Sequence, residues 1–243
     1  IAWSLGLAST GGFRLFGNNV NSFAHTTTAR GWEAGRWYYV ALVADTNGLP
    51  AGLARYDFYW RPLGGRLARV GTVITNAPVN TTDSDWLTYG GDTGSSYPTR
   101  QFRGFMDEFH FSNIARSEAY LRAHSETSSV PDAVFVHVPD DDSLLLWHAD
   151  DTVFFNGSTL ADAEDHSGRD NPGRALGDGL DKTPQSVYLN AVGVGSAAGG
   201  AIELRHDGAN IACVRTERVI PAALWNGGDL TVDVFGVVAV GRD

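Results

Sequence analysis

The sequence predicts an all-β protein, and three features of its composition and patterning support that class. Short strand-like runs alternate with turn signals from residue 1 to about 120, at the spacing typical of a β-sandwich. Aromatic residues, which favour strands, make up 11% of the 243 residues. The chain also contains 29 glycines, as expected where many strands need many turns. We therefore expect strands throughout and no long helix.

The first strands are short and the next ones are long and aromatic. Residues 3–7 and 13–16 form two early strands, which the turn residues 9–12 separate. Residues 37–44 form a long apolar strand, and residues 55–60 alternate aromatic and polar side chains. A turn at 62–65 (Pro-Leu-Gly-Gly) follows that strand.

In the middle of the chain, one strand-rich region ends and another begins. A short strand at 87–89 breaks into a glycine-rich loop, and residues 105–111 form the last strong strand of the first region. Residues 117–122 resemble one or two turns of helix, and polar and acidic residues from 125 to 142 predict a linker. Later strands are expected at 144–148 and within 187–240, including 201–205 and 230–235.

Charge and cysteine content exclude several classes of protein. The formal net charge is −10, and such an acidic chain would repel a phosphate backbone, so nucleic acid is not an expected partner. The single cysteine, Cys213, excludes a disulfide scaffold and lies in an apolar run, as a small buried hydrophobe would. No apolar stretch is long enough for a membrane-spanning helix. We interpret the start at Ile1 as that of a processed product or a piece of a longer polypeptide.

Three segments in fixed order resemble the laminin G-like (LamG/pentraxin-type) branch of the concanavalin A-like lectin/glucanase superfamily. Residues 35–41 (GRWYYVA) match the family's G-x-W-h-h-V-A strand, where h is hydrophobic or His, and residues 56–60 match its aromatic hairpin strand. Residues 102–117 (FRGFMDEFHFSNIARS) match its F-x-G-x-h-D-E-h ending. The family's Asp-Gly turn is replaced by residues 61–64, and Arg116 stands where the family has Leu. The resemblance implies a jelly-roll β-sandwich.

The family's opening strand is missing before Ile1, and a similar segment occurs later in the chain. Residues 144–150 (LLLWHAD) and 165–173 (DHSGRDNPG) resemble that strand and the D-x-S-G-x-x-x-x-G turn that follows it. We favour a tandem arrangement: a laminin G-like sandwich at 1–124, a linker at 125–142, and a second, smaller β-rich domain at 143–243 that begins a partial second repeat. The alternative is that residues from 144 onward complete the first sandwich in permuted order.

The strongest strand carries two carboxylates, which raises the question of a glycosidase. Glycoside hydrolases of the superfamily place carboxylates at E-x-D-x-x-E spacing, so that alternate residues point into one cleft. Asp107 and Glu108 are adjacent in sequence, and adjacent residues of a strand point to opposite faces. The resemblance implies structural roles for Trp37, Asp107 and Glu108, and we expect no enzymatic activity.

The loop from 81 to 97 is the candidate binding site, because it combines carboxylates with aromatic rings. Clustered carboxylates suit Ca²⁺, which takes several oxygen ligands, and Asp83, Asp85 and Asp92 are the candidate ligands. Calcium is the only cofactor that the sequence suggests. Aromatic faces beside carboxylates also suit sugars. The candidate ligand-binding residues are Asp83, Asp85, Trp86, Tyr89, Asp92 and Tyr97. The alternative is that Trp86 belongs to the core and the aspartates cap turns.

Other catalytic and metal-binding patterns do not occur in the sequence. The seven histidines lack zinc-site spacing, and we interpret each as a surface or capping residue. Together these features predict a non-catalytic recognition or adhesion module that binds glycan or a protein surface through sandwich-edge loops. The alternative is a structural virion component, such as a capsid decoration, spike or fibre protein, or a surface-layer subunit. Either role predicts an extracellular, cell-surface or virion location, a homo-oligomer or larger assembly, and no membrane insertion.

Overall fold

The described part of the protein is built of β-strands with one short helix, which confirms the all-β prediction. The computed structural model describes residues 3–7, 12–17, 24–26, 31–77, 88–90, 102, 104–126, 138–148, 162–177, 187–190, 201–204, 212–216, 218, 220 and 228–238. The strands are β1 Trp3–Leu7, β2 Phe13–Gly17, β3 Ala24–Thr26, β4 Trp37–Asp45, β5 Leu53–Pro62, β6 Ala68–Asn76, β7 Thr88–Tyr89, β8 Gly104–Ser112, β9 Ser143–Trp147, β10 Asp162–Ala163, β11 Gly173–Gly177, β12 Val187–Asn190, β13 Ala201–Leu204, β14 Ala212–Thr216 and β15 Leu230–Val238, and the helix is α1 Glu118–Ser125.

Strands from distant parts of the chain form one eight-stranded antiparallel sheet. Its order is β12-β13-β8-β15-β4-β5-β6, and β9 also pairs with β8. Strand β15 lies between β4 and β8, so a strand from the end of the chain occupies the middle of the sheet. Two smaller sheets have the orders β1-β2-β3 and β10-β11-β14-β7. The large sheet therefore contains strands from both sides of the predicted linker at 125–142.

The large sheet packs different side chains on its two faces. On one face, Leu42 of β4, Phe58 of β5 and Phe111 of β8 are buried in the larger apolar cluster. Phe13 of β2 and Val214 of β14 belong to the same cluster, which gives the packing a sandwich-like character. The opposite face carries a smaller apolar cluster, whose buried members are Tyr39, Ala41, Val43, Tyr59, Leu67 and Leu121.

Helix α1 covers part of the smaller cluster and confirms the helical turns predicted at 117–122. The Ser117 hydroxyl caps the helix by accepting a hydrogen bond from the Tyr120 amide at 3.1 Å. Leu121 is fully buried against the sheet. The guanidinium of Arg61 in β5 donates to the Ser125 carbonyl, so the end of the helix is held on the β5–β6 hairpin.

Strand prediction succeeded for the long strands with buried apolar side chains and missed β3, β6, β10 and β11. Strands β4, β5, β8 and β15 all overlap the predicted ones, and the predicted turn after β5 forms with Gly64 at φ +78°. Strand β6 was not predicted. Its burial is irregular because it is an edge strand with an irregular register opposite Phe58 and Tyr59.

Candidate functional site

The predicted ligand loop falls almost entirely outside the described residues. Tyr89 is the one candidate whose backbone is described, and it lies in β7, paired with Val214 of β14. In the four-stranded sheet, whose order is β10-β11-β14-β7, strand β7 is the last strand. The remaining candidates, Asp83, Asp85, Trp86, Asp92 and Tyr97, lie outside the described part of the chain.

The three residues predicted to be structural all lie in the large sheet. Trp37 begins β4 and packs, half-buried, against the smaller apolar cluster. Asp107 and Glu108 of β8 are 4% and 2% exposed. The Asp107 carboxylate accepts a hydrogen bond from the Glu108 amide at 2.8 Å.

The strand is irregular at these carboxylates, so the regular alternation assumed from the sequence is wrong at this point. Along β15, Asp233 pairs with His110 but Phe235 pairs with Asp107, so one extra β8 residue is accommodated between them. Glu108 has φ +52°, in the left-handed region that non-glycine residues rarely adopt. The bulge therefore sets the direction of the Glu108 side chain.

Glu108 is bonded to a histidine that follows the next strand in the sequence. Nδ1 of His148 lies 3.0 Å from each Glu108 carboxylate oxygen, in the buried interior. The His148 ring also packs against the ring of His166, with centroids 4.5 Å apart. His166 is held in place because its amide donates to the Leu146 carbonyl at 2.8 Å. The contact joins β8, the end of β9 and the turn at 164–172.

A second buried histidine, His110 of β8, lies between a carboxylate and a serine. Its Nδ1 lies 3.1 Å from Oδ1 of Asp233 in β15, and its Nε2 lies 2.9 Å from Oγ of Ser143 in β9. The Tyr39 hydroxyl of β4 donates to Oδ2 of Asp233 at 2.8 Å. We call these four residues the His110 network. Each of the four is 0% exposed.

The protonation pattern of the His110 network follows from its acceptors. A carboxylate oxygen can only accept, so the Nδ1 of His110 carries the proton shared with Asp233. Burial, followed by the nearby Asp233 charge, raises the pKa of Tyr39 well above its usual value. Tyr39 therefore stays protonated and remains a donor to Asp233.

An arginine connects the His110 network to the surface. Arg116 donates through Nε to Ser112 Oγ at 3.1 Å, and Ser112 Oγ lies 3.3 Å from His110 Nε2. Its two terminal nitrogens donate to the Asp140 carboxylate at 2.7 and 2.6 Å. The hydrogen bond from Arg116 is the main reason that the pKa of Asp140 falls to about 2.

The serine, histidine and aspartate of this network have the connectivity of a catalytic triad, but all three are buried inside the protein. A nucleophilic serine must be able to reach the carbonyl carbon of a substrate, and hydrogen-bond donors must stabilise the oxyanion that develops. Ser143, His110 and Asp233 are all 0% exposed. The hydroxyl of Ser143 also lies 3.1 Å from a carboxylate oxygen of Asp140, a second acceptor for its proton. In this arrangement the network stabilises the pairing of β4, β8, β9 and β15.

The D-x-S-G segment forms a tight turn against β9. The Asp165 carboxylate accepts from the amides of Leu146, Ser167 and Asn171 and from the Ser167 hydroxyl, at 2.9–3.1 Å. A carboxylate surrounded by donors is a turn-stabilising group rather than a cation ligand. Within the described ranges, no cluster of three or more His, Cys, Asp or Glu side chains is arranged to hold a metal ion.

Sequence reasoning missed the two buried histidine contacts because their partners are far apart along the chain. His110 and Asp233 are separated by 123 positions, and Glu108 and His148 by 40. The interpretation of every histidine as a surface or capping residue is wrong for His110 and His148, which are 0% and 8% exposed. One signal was present, since Asp233 is a lone charge within an apolar strand.

Comparisons of the chain with family models, curated proteins and solved structures give no match. The described helix, α1, has eight residues, and none in the described ranges has the length and apolar character needed to cross a bilayer.

Proposed function

We propose that the chain is a non-catalytic recognition or adhesion module built on a concanavalin A-like, laminin G-like jelly-roll sandwich. It binds glycan or a protein surface through loops at the sandwich edge, outside the cell or on a virion. The observation that carries the proposal is that the reactive side chains of the described residues bond to one another inside the fold. The His110 network and the Glu108–His148 pair are buried and bonded across strands, so this chemistry serves the fold.

The loop from 81 to 97 is the proposed binding surface, with calcium as its proposed cofactor. Its one described part, β7, is at an edge of the four-stranded sheet, which suits a loop that faces a ligand. Asp83, Asp85 and Asp92 supply the oxygen ligands for calcium, and Trp86, Tyr89 and Tyr97 supply aromatic faces for a sugar. Fold alone does not assign this role, because similar sandwiches have many functions.

A glycan array followed by titration with and without Ca²⁺ tests the proposal. We expect binding at millimolar sugar or tighter that weakens at least tenfold in Asp92→Asn and in Trp86→Ala. The matched control is Glu33→Gln, which changes an exposed carboxylate outside the loop, and its affinity should equal that of the unaltered chain. Absence of any glycan at millimolar concentration would count against glycan binding, and a protein ligand would then be sought by the same variants.

An architectural role is the second candidate, because jelly-roll sandwiches occur in capsids as well as in lectins. Electron microscopy of the purified chain tests this role. Ordered rings, fibres or lattices would support it, and a uniform monomer at every concentration would contradict it.

A further inference from the structure

The peptide bond between Asp142 and Ser143 lies at the end of a tight turn that leads into β9. The Ser143 amide donates to the Asp140 carbonyl at 3.0 Å, which closes the turn. The Asp142 carbonyl accepts a hydrogen bond from the Asn113 amide at 3.1 Å. Hydrogen bonds therefore hold both sides of this peptide bond, and the side chain that follows it is the fully buried Ser143.

The Ser143 hydroxyl lies against an imidazole nitrogen that can accept its proton. Nε2 of His110 lies 2.9 Å from Ser143 Oγ, and Nδ1 of His110 lies 3.1 Å from Asp233 Oδ1. Because Nδ1 carries the proton shared with Asp233, Nε2 is left as an acceptor. Ser112 Oγ is further from this nitrogen, at 3.3 Å. Asp233 thus orients the imidazole, and His110 is placed as a general base for Ser143.

Asp140 is a second acceptor near the Ser143 hydroxyl, but its surroundings make it a poor base. Oδ1 of Asp140 lies 3.1 Å from Ser143 Oγ. Arg116 donates to both oxygens of this carboxylate, and the pKa of Asp140 is lowered to about 2, chiefly by that hydrogen bond. Such a carboxylate binds a proton far less readily than an imidazole does. The Asp140 amide donates to Ser143 Oγ at 3.1 Å, which favours negative charge on that oxygen.

Burial keeps external substrates away from Ser143, but the chain itself brings a carbonyl carbon to this hydroxyl. In any serine, three atoms join the hydroxyl oxygen to the preceding carbonyl carbon, so the two react through a five-membered ring. Reacting groups held in one molecule reach effective concentrations of about 10⁵–10⁸ M, and such a reaction needs no binding cleft. The Asn113 amide already lies on the Asp142 oxygen, where a tetrahedral intermediate would carry its negative charge.

We propose that the chain cleaves its own backbone between Asp142 and Ser143, with Ser143 as nucleophile and His110 as general base. Oγ of Ser143 attacks the Asp142 carbonyl carbon, and Nε2 of His110 accepts the hydroxyl proton. The Asn113 amide stabilises the resulting oxyanion. His110 then gives the proton to the Ser143 nitrogen as the C–N bond breaks, which leaves an ester between Asp142 and Ser143 and a free amine. One water molecule hydrolyses the ester to the Asp142 carboxylic acid and the Ser143 hydroxyl.

This cleavage is a single event within one chain, beyond the proposed ligand binding, and it uses no residue of the loop at 81–97. The two products, residues 1–142 and 143–243, should stay together in the folded protein. Strand β9 pairs with β8, and β15 lies between β4 and β8, so the second product supplies strands to the sheet of the first. Cleaved protein should therefore elute as one species under native conditions and separate only when denatured.

Denaturing electrophoresis and intact-mass spectrometry of the purified full chain, incubated at neutral pH, test the proposal. We expect two fragments whose masses sum to that of the intact chain plus one water. The second fragment should begin Ser-Leu-Leu-Leu-Trp. Hydroxylamine attacks esters, so its addition should convert remaining intact chain into fragments cut at this same bond. Size-exclusion chromatography before denaturation should give a single species.

Variants of the nucleophile separate this reaction from contaminating proteolysis. Ser143→Ala removes the hydroxyl and should abolish cleavage, both with and without hydroxylamine. Ser143→Cys places a thiol at the same position, so cleavage should continue through a thioester and be accelerated by dithiothreitol. The matched control is Ser167→Ala, because the Ser167 hydroxyl is bonded to Asp165 rather than to an imidazole. It should cleave as the unaltered chain does. Circular dichroism checks that each variant is folded.

The proposal is overturned if the unaltered chain stays intact in the presence of hydroxylamine. It is also overturned if cleavage falls at another bond or persists in Ser143→Ala. Should Ser143→Ala fail to fold, the thiol variant decides: equal cleavage of Ser143→Cys with and without dithiothreitol would contradict a thioester and hence the assigned nucleophile. None of these results depends on glycan binding, which the loop variants test separately.

Discussion

At the scale of single residues, the buried carboxylate of Asp233 is the group on which the centre of the large sheet depends. Tyr39 and His110 are bonded to it from two different strands. A buried charge that loses one partner is costly because its desolvation is no longer offset. Tyr39 and His110, which lie far from Asp233 in the sequence, are therefore both needed to stabilise its buried charge.

We expect His110→Leu to lower the free energy of unfolding by about 3–5 kcal/mol, because Asp233 would keep its charge without its imidazole partner. Tyr39→Phe removes one hydrogen bond to the charged group and should cost about 1.5–3 kcal/mol. Urea denaturation followed by tryptophan fluorescence measures both. The double variant His110→Leu with Asp233→Leu should recover part of the loss, since it removes the charge as well. A double variant no more stable than His110→Leu alone would contradict the charge-based explanation.

The ion pair between Arg116 and Asp140 predicts a pH dependence at the surface end of the same network. Arg116 lowers the pKa of Asp140 from 3.8 to about 2 in the folded state. A carboxyl group with a lowered folded pKa stabilises the protein above its unfolded pKa and loses that contribution as the pH falls towards the folded value. The contribution should therefore disappear between about pH 4 and pH 2. It is small, because the Asp140 side chain is 40% exposed.

Thermal unfolding of Asp140→Asn between pH 7 and pH 2 checks this expectation. The stability of the variant should fall less steeply than that of the unaltered chain in the range from about pH 4 to pH 2. Asp141→Asn changes the exposed neighbouring carboxylate, whereas Arg116 is paired with Asp140, so this variant should keep the normal slope. Equal slopes in all three proteins would show that the Asp140 carboxylate is not stabilised by Arg116.

At the scale of elements, the turn after β9 and strand β11 pack closely against the larger apolar cluster. Gly173 begins β11 and lies beneath two buried side chains. A Cβ atom at this position would lie 2.7 Å from Val214 and 2.8 Å from the Trp147 ring. Because both neighbours are held in strands, neither can move away easily, and the glycine is required for β11 to approach β9.

Gly173→Ala should therefore destabilise the protein by about 1–3 kcal/mol through overpacking. Gly31→Ala is the matched control, since no atom lies within 4 Å of a Cβ placed there. Guanidinium denaturation of both variants gives the comparison, and the control should stay within about 0.5 kcal/mol of the unaltered chain. Equal stability of the two variants would mean that β11 lies further from Trp147 than in this structure.

Element prediction from the sequence depended on whether the signal was local. The apolar runs of β4, β8 and β15 and the capping serine of α1 are local patterns, and each was predicted within a few residues. The bulge at Glu108 was not predictable, because it depends on the register of β15 against β8. The prediction of a binding site in the loop at 81–97 rests on residue types alone, and its ligand remains a prediction.

At the scale of the whole molecule, the pairing of strands from the two halves predicts how the protein unfolds. The N-terminal half is the described residues up to 126, and the C-terminal half is those from 138 onward. The sequence favoured separate domains at 1–124 and 143–243, which would unfold in two independent transitions. One sheet that takes β4, β8, β9 and β15 from both halves should instead unfold in one cooperative transition, because neither half keeps its partners when the other opens.

Hydrogen exchange measured by mass spectrometry, together with calorimetry, separates these outcomes. Peptides from β5 in the N-terminal half and β9 in the C-terminal half should exchange with the same free energy of opening. The calorimetric and van't Hoff enthalpies should agree. Tyr39→Phe, which alters only the N-terminal half, should lower protection in β9 as much as in β5, because its hydroxyl is bonded to Asp233 of β15. Loss of protection confined to β5 would show that the halves unfold independently.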